Sequence, residues 1–447
     1  MSGGERDFSK GSVKRQIIAQ AVPLTVAQVV QLLYNVVDRI YIGHLEGIGD
    51  VALTGLGVTF PVIVLIAAFT SLFGSGGTAL FSIARGRRDE EEAERILGNV
   101  FALLLLSSGI LFVLCYLFRR PVLLLFGASP VSVEYADQYL RIYLFGTAFS
   151  MLATGLNGYI NAQGFPKTGM LTTILGAAVN IVLDPVFIFA FGMGVRGAAL
   201  ATVLSQGISA VWVLRFLTGK KAILRIRPGK VRISLRRTRA IAAIGLPGFV
   251  MQGTNSLVQI VCNNQLQAFG GDLYVGIMTV LGSVREILSL PVMGVSNGSQ
   301  PVLGFNYGAR ENQRVKEGIR FTSVLGVLYT LCAWIVVMLV PRQMMGIFSS
   351  DPAVVEKGAE MLNIYFFGFV FMAFQFVGQT AFQGLGKAKQ AIFFSLFRKA
   401  VIVVPLTLLL PGLGFGVRGV FLAEPISNAI GGLACFLTMW QVIYRKL

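Results

Sequence analysis

Long apolar runs, each closed by a short charged or Gly/Pro-rich connector, recur from one end of the chain to the other. In the first half they fall at roughly 15–42, 52–84, 96–118, 136–163, 168–192 and 196–217. In the second half they fall at roughly 240–267, 273–305, 319–341, 359–385, 390–411 and 417–443. A helix needs about 20 residues to cross a hydrocarbon layer about 30 Å thick, and every run reaches that length. The pattern predicts an all-α integral membrane protein of twelve transmembrane helices. Residues 1–13 are polar, and the first run is followed by further spans rather than an Ala-x-Ala cleavage site, so no cleaved signal peptide is expected.

The two halves are copies. Gly416-Val417-Arg418-Gly419 falls on Gly194-Val195-Arg196-Gly197, 222 residues earlier. The same shift sets Ser349-Ser350-Asp351-Pro352 beside Gly127-Ala128-Ser129-Pro130, and Leu362-Asn363-Ile364-Tyr365 on Leu140-Arg141-Ile142-Tyr143. Nearer the start of each half the shift becomes 224, which brings Pro247 onto Pro23. The expected organisation is a six-helix bundle over residues 1–217, a basic cytoplasmic linker over 218–239 and a second six-helix bundle over 240–447. An even number of spans per copy makes the repeats parallel, related by an axis along the membrane normal.

Charge sets the orientation. With the N-terminus inside, the inner connectors and termini hold 28 Lys and Arg residues and the outer ones six, namely Arg119, Arg120, Arg196, Arg342, Lys357 and Arg418. The inner set includes Arg6, Arg314, Arg398, Lys399 and the nine basic residues between Lys220 and Arg239. The positive-inside rule then places both termini in the cytoplasm and the protein in the cytoplasmic membrane. The stretch from Lys220 to Arg239, which has no Asp or Glu, reads as a topogenic loop facing lipid headgroups. Asp89-Glu90-Glu91-Glu92 reads as the solvated start of the third span.

Composition agrees with lipid as the solvent. Of 447 residues 55% are hydrophobic and 13% charged, about half the charged fraction usual in soluble proteins. Mean hydropathy is +0.72. The net charge of +17 raises the question of nucleic acid, but the basic residues lie in short connectors without base-stacking aromatics, and none is expected as a partner. Cys115, Cys262, Cys332 and Cys435 lie in or beside apolar runs without metal-ligand spacing, so neither a disulfide framework nor a zinc site is expected. Gly74-Ser75-Gly76-Gly77 has the look of a phosphate loop, yet it lies inside a span with no Lys after it, and close helix packing accounts for it better. No Gly-x-x-x-x-Gly-Lys-[Ser/Thr] occurs, which argues against ATP as the energy source.

The informative polar residues are carboxylates inside spans, costly there unless paired, protonated or beside water. The runs contain Asp38, Asp184, Glu286 and Glu424. Asn180 precedes Asp184 by one helical turn and shares its face. Pro185 removes a backbone donor and should leave the Ile181 carbonyl unpaired or kink the helix. Counting from the outer connectors at about 1.5 Å per residue, Asp38 and Thr202 lie about 9 Å deep and Asp184 about 12 Å. Together the four residues offer two carboxylates, an amide oxygen and a hydroxyl, a set suited to a proton relay or a hard monovalent cation. They read equally as separate carboxylates paired with Arg39 or with helix ends. The repeat separates the two copies: Asp38, Asn180, Asp184 and Thr202 correspond to Cys262, Ile402, Leu406 and Glu424. Glu424, before Pro425, is a candidate secondary protonatable site. Glu286 follows Arg285 directly and reads as an internal ion pair or a substrate contact. His44, in an outer connector, reads as solvated.

Asn35-Val36-Val37-Asp38-Arg39-Ile40-Tyr41-Ile42-Gly43 in the first span and Asn180-Ile181-Val182-Leu183-Asp184-Pro185 in the fifth resemble the multidrug and toxic compound extrusion (MATE) family. The likeness extends to the 6+6 repeat, the basic central loop and Gly-x-Gly-Val-Arg-Gly before the sixth and twelfth spans. It implies a V-shaped central cavity between two bundles, alternating access, and export of amphipathic, often cationic organic compounds or drugs in exchange for H⁺ or Na⁺, with no other cofactor and a monomer as the working form. The family's first-bundle cation site carries over to Asp38, Asn180, Asp184 and Thr202. Another branch places acids in spans seven and ten, where this chain has Gln252, Asn255 and Gln259 and no Asp or Glu between Glu360 and Glu424. Two other readings compete. A flippase for a lipid-linked precursor tends to have more spans and a basic cavity, whereas Arg141 and Arg285 are the clearest basic residues within spans here. A membrane-embedded enzyme would need a nucleophile with a base, and the spans present none.

Overall fold

The computed structural model describes residues 8–45, 49–126, 129–348 and 351–447. Gly127-Ala128 and Ser349-Ser350, used above for the repeat, and Arg6, counted among the inner charges, lie outside the described residues. In chain order the α-helices of the first half are α1 (Val13–Gly43), α2 (Gly49–Gly86), α3 (Glu90–Leu117), α4 (Arg119–Leu125), α5 (Ser132–Tyr143), α6 (Thr147–Ala162), α7 (Pro166–Pro185) and α8 (Val195–Thr218). Those of the second half are α9 (Leu235–Gly270), α10 (Asp272–Gly308), α11 (Asn312–Leu339), α12 (Pro341–Gly346), α13 (Pro352–Phe366), α14 (Met372–Gly384), α15 (Ala388–Leu396), α16 (Val404–Leu410) and α17 (Gly416–Met439).

Among the described residues, nine helices are long and apolar enough to cross a membrane, and α13 with α14, bent by 43°, makes a tenth crossing. The apolar stretch Ala388–Tyr444 counts twice, because its 57 residues would run about 85 Å as one helix. It is broken at Gly414 (φ 97°) and Gly416 (φ 52°). The twelfth crossing, α5 with α6, is less apolar because it carries Glu134, Asp137 and Arg141. The architecture is all-helical with twelve crossings, as the hydrophobic pattern predicts. The runs did not disclose the short helices α4 and α12, which are too brief to show a period.

The repeat is written in the backbone as well as the sequence. Left-handed conformations recur in pairs 222 residues apart: Arg88 and Arg310 (φ 60° and 62°), Gly164 and Gly386 (84° and 73°), and Gly194 and Gly416 (54° and 52°). Glycine supplies two of these pairs because a Cβ penalises positive φ. The Gly-x-Gly-Val-Arg-Gly motif therefore marks the same turn before α8 and before α17.

The chain divides into two compact units. The first is Val26–Gly245, and the second is Phe8–Thr25 with Leu246–Leu447. The first unit packs around fully buried Phe81, Leu97, Leu104, Leu140, Leu156 and Tyr159. The second packs around Leu281, Leu362, Phe366 and Phe421, with a further cluster on Phe382 and Phe394. The opening turns of α1 belong with α10 because Gly298 has no side chain: a Cβ there would stand 2.7 Å from the Ala21 nitrogen. Arg314 adds bonds of 2.8 Å each to the Phe8 and Gly11 carbonyls and the Asn306 side chain. Within the first unit, Gly74 and Gly76 admit α6 and α9, since a Cβ on each would meet Gly155 at 2.8 Å and the Ile241 carbonyl at 2.2 Å. Helix packing is thus the use of the Gly74–Gly77 run.

The basic linker is not a free loop. Asp89 caps α3 by accepting from the Glu92 amide at 2.9 Å. Arg237 donates twice to Glu92, at 2.8 and 2.7 Å. Glu94, buried on α3, accepts from Lys230 Nζ at 2.8 Å and forms an ion pair with Arg227 Nε at 3.1 Å. Gln163 Oε1 receives the Leu224 amide at 2.8 Å. Asp89, Glu90 and Glu91 are exposed, as a solvated helix start requires, whereas Glu92 and Glu94 are the dock that fixes this segment. Sequence separation of more than 130 residues kept that pairing from view.

Candidate functional site

The first unit brings the four residues singled out by the sequence to one place. α7 carries Asn180 and Asp184 one turn apart, both fully buried, and α8 presents Thr202, also buried. Asn180 Nδ2 donates to Asp184 Oδ1 at 3.3 Å and reaches Thr202 Oγ1 at 3.4 Å. Thr202 in turn donates to the Ala198 carbonyl at 3.0 Å. Half-buried Asp38 on α1 has its carboxyl at hydrogen-bonding distance from that of Asp184. Among the described residues no ion pair of 4 Å or less joins Asp38 to Arg39.

Beyond Asp184 the helix cannot continue regularly. Pro185 lacks an N–H, and the next turn, Val186–Ala190, is π-helical. The break expected from the sequence is therefore present. Three oxygens of the cluster, Asp38 Oδ1, Asp184 Oδ2 and Asn180 Oδ1, have no hydrogen-bond partner. Repulsion between two carboxylates this close is relieved by a proton held between them or a cation bound to both. Sequence reasoning missed two neighbours: the Tyr34 and Tyr139 phenols lie close to Thr202. Tyr34 precedes Asp38 by one helical turn, which was the available signal; an aromatic in a long apolar run otherwise reads as core. Among the described residues no group of three or more His, Cys, Asp or Glu could hold a metal ion.

The remaining candidates change role. Glu424 is not a lone protonatable acid: Arg285 Nη2 and Arg398 Nη1 reach its Oε1 at 2.5 and 2.9 Å, and Lys399 Nζ its Oε2 at 3.4 Å. Three basic side chains thus surround one buried carboxylate. Arg398 and Lys399, assigned from sequence to an inner connector, lie about 15 Å along the helical path that begins at Ala388, on the π-helical turn Phe397–Val403. A count that reads every Lys and Arg near a break as a connector misplaces them. Glu286 is exposed on α10 and makes no ion pair with Arg285, which turns to Glu424 instead. Arg141 forms an ion pair with Asp137 at 2.9 Å. Asp137 is a buried acid the sequence reading did not weigh, and Arg119 also binds it at 2.6 Å. His44 is exposed and bonds the Ile40 carbonyl at 2.8 Å through Nδ1.

Comparison with known proteins places this geometry. A multidrug export protein, MepA of Staphylococcus haemolyticus, is 24% identical over 439 residues, covering 97% of this chain and 94% of its own length. A MATE crystal structure in a bent conformation superposes with a TM-score of 0.93 at 25% identity, covering 100% of this chain and 98% of that one. An outward-facing multidrug resistance MATE transporter of the MOP superfamily shares the fold, with a TM-score of 0.92 at 24% identity and coverage of 100% and 99%. The MatE family pattern matches twice, over residues 23–186 and 247–409, once in each copy of the repeat. Twelve helical crossings, two homologous modules and this double match establish that the chain belongs to the MatE family of membrane transporters.

Proposed function

We propose that the protein exports amphipathic, often cationic organic compounds across the cytoplasmic membrane as an antiporter, with H⁺ or Na⁺ as the coupling ion. The observation that carries this reading is the facing pair Asp38 and Asp184, with three unpartnered oxygens contributed by that pair and Asn180. One proton or one monovalent cation neutralises a charge that is expensive to hold in hydrocarbon, so the arrangement of α1 against α7 responds to occupancy. Asn180 and Thr202 orient the Asp184 carboxyl, and a Na⁺ ion would find in the same set the oxygen ligands that a hard cation prefers. Export follows if occupancy biases alternating access, the cation entering as the organic compound leaves. The relatives named as multidrug export proteins support the substrate class.

Vesicles reconstituted with the protein and loaded with a fluorescent organic cation test the proposal under a Na⁺ gradient and a proton gradient imposed separately. Transport should rise about tenfold or more with one of them, a tenfold bias corresponding to about 1.4 kcal/mol of coupling. Equal transport with and without either gradient would sink the antiport reading.

A further inference from the structure

The second unit holds, at the same address in its module, a site of opposite charge. Cys262 and Leu406 stand where the first copy has Asp38 and Asp184, and Glu424 stands at the position of Thr202. Around Glu424 gather Arg285, Arg398 and Lys399, with side chains 19%, 11% and 8% exposed. Arg285 Nη1 also donates to the Tyr365 hydroxyl at 2.9 Å, and Arg398 Nη1 to Asn428 Oδ1 at 2.7 Å. Glu424 is the only acid among the described residues that contacts the three. Three cations against one carboxylate leave an excess of positive charge inside a membrane domain, and such charge is retained where it is paired or serves a ligand.

Donors remain available as well as charge. The five bonds to Glu424, Tyr365 and Asn428 use fewer than half of the N–H groups that two guanidiniums and an ammonium carry. A planar guanidinium matches a carboxylate through paired N–H donors, and Arg285, the most exposed of the three cations, is the side from which a ligand would approach. We propose that Arg285, Arg398 and Lys399 form an anion site in the second unit that takes one monovalent anion, either the carboxylate of an organic compound or a free ion such as chloride. The site is independent of cation coupling by the first unit. It extends the substrates to compounds carrying a carboxylate, or adds an inorganic anion to the transport cycle.

The test uses radiolabelled benzoate with the full-length purified protein in chloride-free detergent buffer, read by scintillation proximity. Saturable binding is expected, weakened about tenfold or more in Arg285→Gln and in Lys399→Met. Arg342→Gln, which removes an exposed positive charge paired with Glu356 in the same unit, should bind as the unmodified protein does. Displacement of benzoate by millimolar chloride would assign the site to free monovalent anions; failure of chloride to displace it would assign the site to carboxylates. Should either variant fail to fold, the melting temperature of the unmodified protein decides, because benzoate must raise it in a concentration-dependent way. No saturable binding and no such rise, or full binding in both folded variants, would reduce the cluster to a structural ion network.

Discussion

Asp184 and Leu406 support equivalent helices in two copies of one module, and only Asp184 carries a carboxylate. If that carboxylate served folding, the second copy would need an equivalent. The position equivalent to Asp38 is Cys262, whose Sγ lies 3.9 Å from the Oγ1 of Thr407, the residue after Leu406. Asp184→Asn keeps the size and the hydrogen bond with Asn180 but removes the group that can bind a proton or share a cation. Gradient-driven transport in vesicles should fall at least about tenfold, and Asp38→Asn should behave likewise. Leu406→Met, a swap of similar volume at a half-buried site, should keep coupling and cost less than about 1.5 kcal/mol. Unchanged cation dependence in Asp184→Asn would make the carboxyl structural. Much of this cluster was legible in sequence because Asn180 and Asp184 share a helix face and because the repeat showed which copy was different. The roles of Arg398 and Lys399 were not legible, since nothing in a local run reveals that a basic residue turns inward to meet an acid 25 or 26 residues away.

At the scale of elements, the hydrophobic runs located the spans because each helix alone must satisfy its backbone in lipid, so length and apolarity are local properties. Contacts between elements are not local. From its charge the linker before α9 reads as a topogenic loop, and the structure shows it fixed to α3 through Glu92, Glu94 and Asn99. Its order therefore depends on sequence as well as charge. Glu94 is almost fully buried against two cations, whereas the Glu92 pair is about a third exposed and weaker for being screened. Glu94→Gln should loosen the segment by about 1–3 kcal/mol, which corresponds to trypsin cleavage between residues 220 and 239 that is about fivefold to a hundredfold faster. Shuffling residues 220–239 with the basic count kept should accelerate cleavage at least as much. Cleavage of both variants at the unmodified rate would restore the view of a loop that needs only length and charge.

For the whole molecule, the sidedness of the twelve crossings rests on where basic residues stop during insertion. Moving Arg398 and Lys399 from the inner connectors into a span lowers the inner count from 28 to 26 and leaves the outer count at six. The asymmetry survives the correction, so both termini and the linker are expected in the cytoplasm. The linker's pairing with α3 reinforces this, because Lys230 and Arg237 meet acids at the start of that helix and the two must share a side of the membrane. Single cysteines at Ser234 and at Ala128, the latter outside the described residues, introduced into a chain whose four native cysteines are replaced, test the arrangement with a membrane-impermeant maleimide. In intact cells the Ala128 site should label at least about tenfold faster than the Ser234 site, and permeabilisation should bring Ser234 into reach. Labelling of Ser234 from outside intact cells would invert the topology. The inversion would also place Asp38, Asp184 and Thr202 near the cytoplasmic face, so a cation descending into the cell would meet them last instead of first.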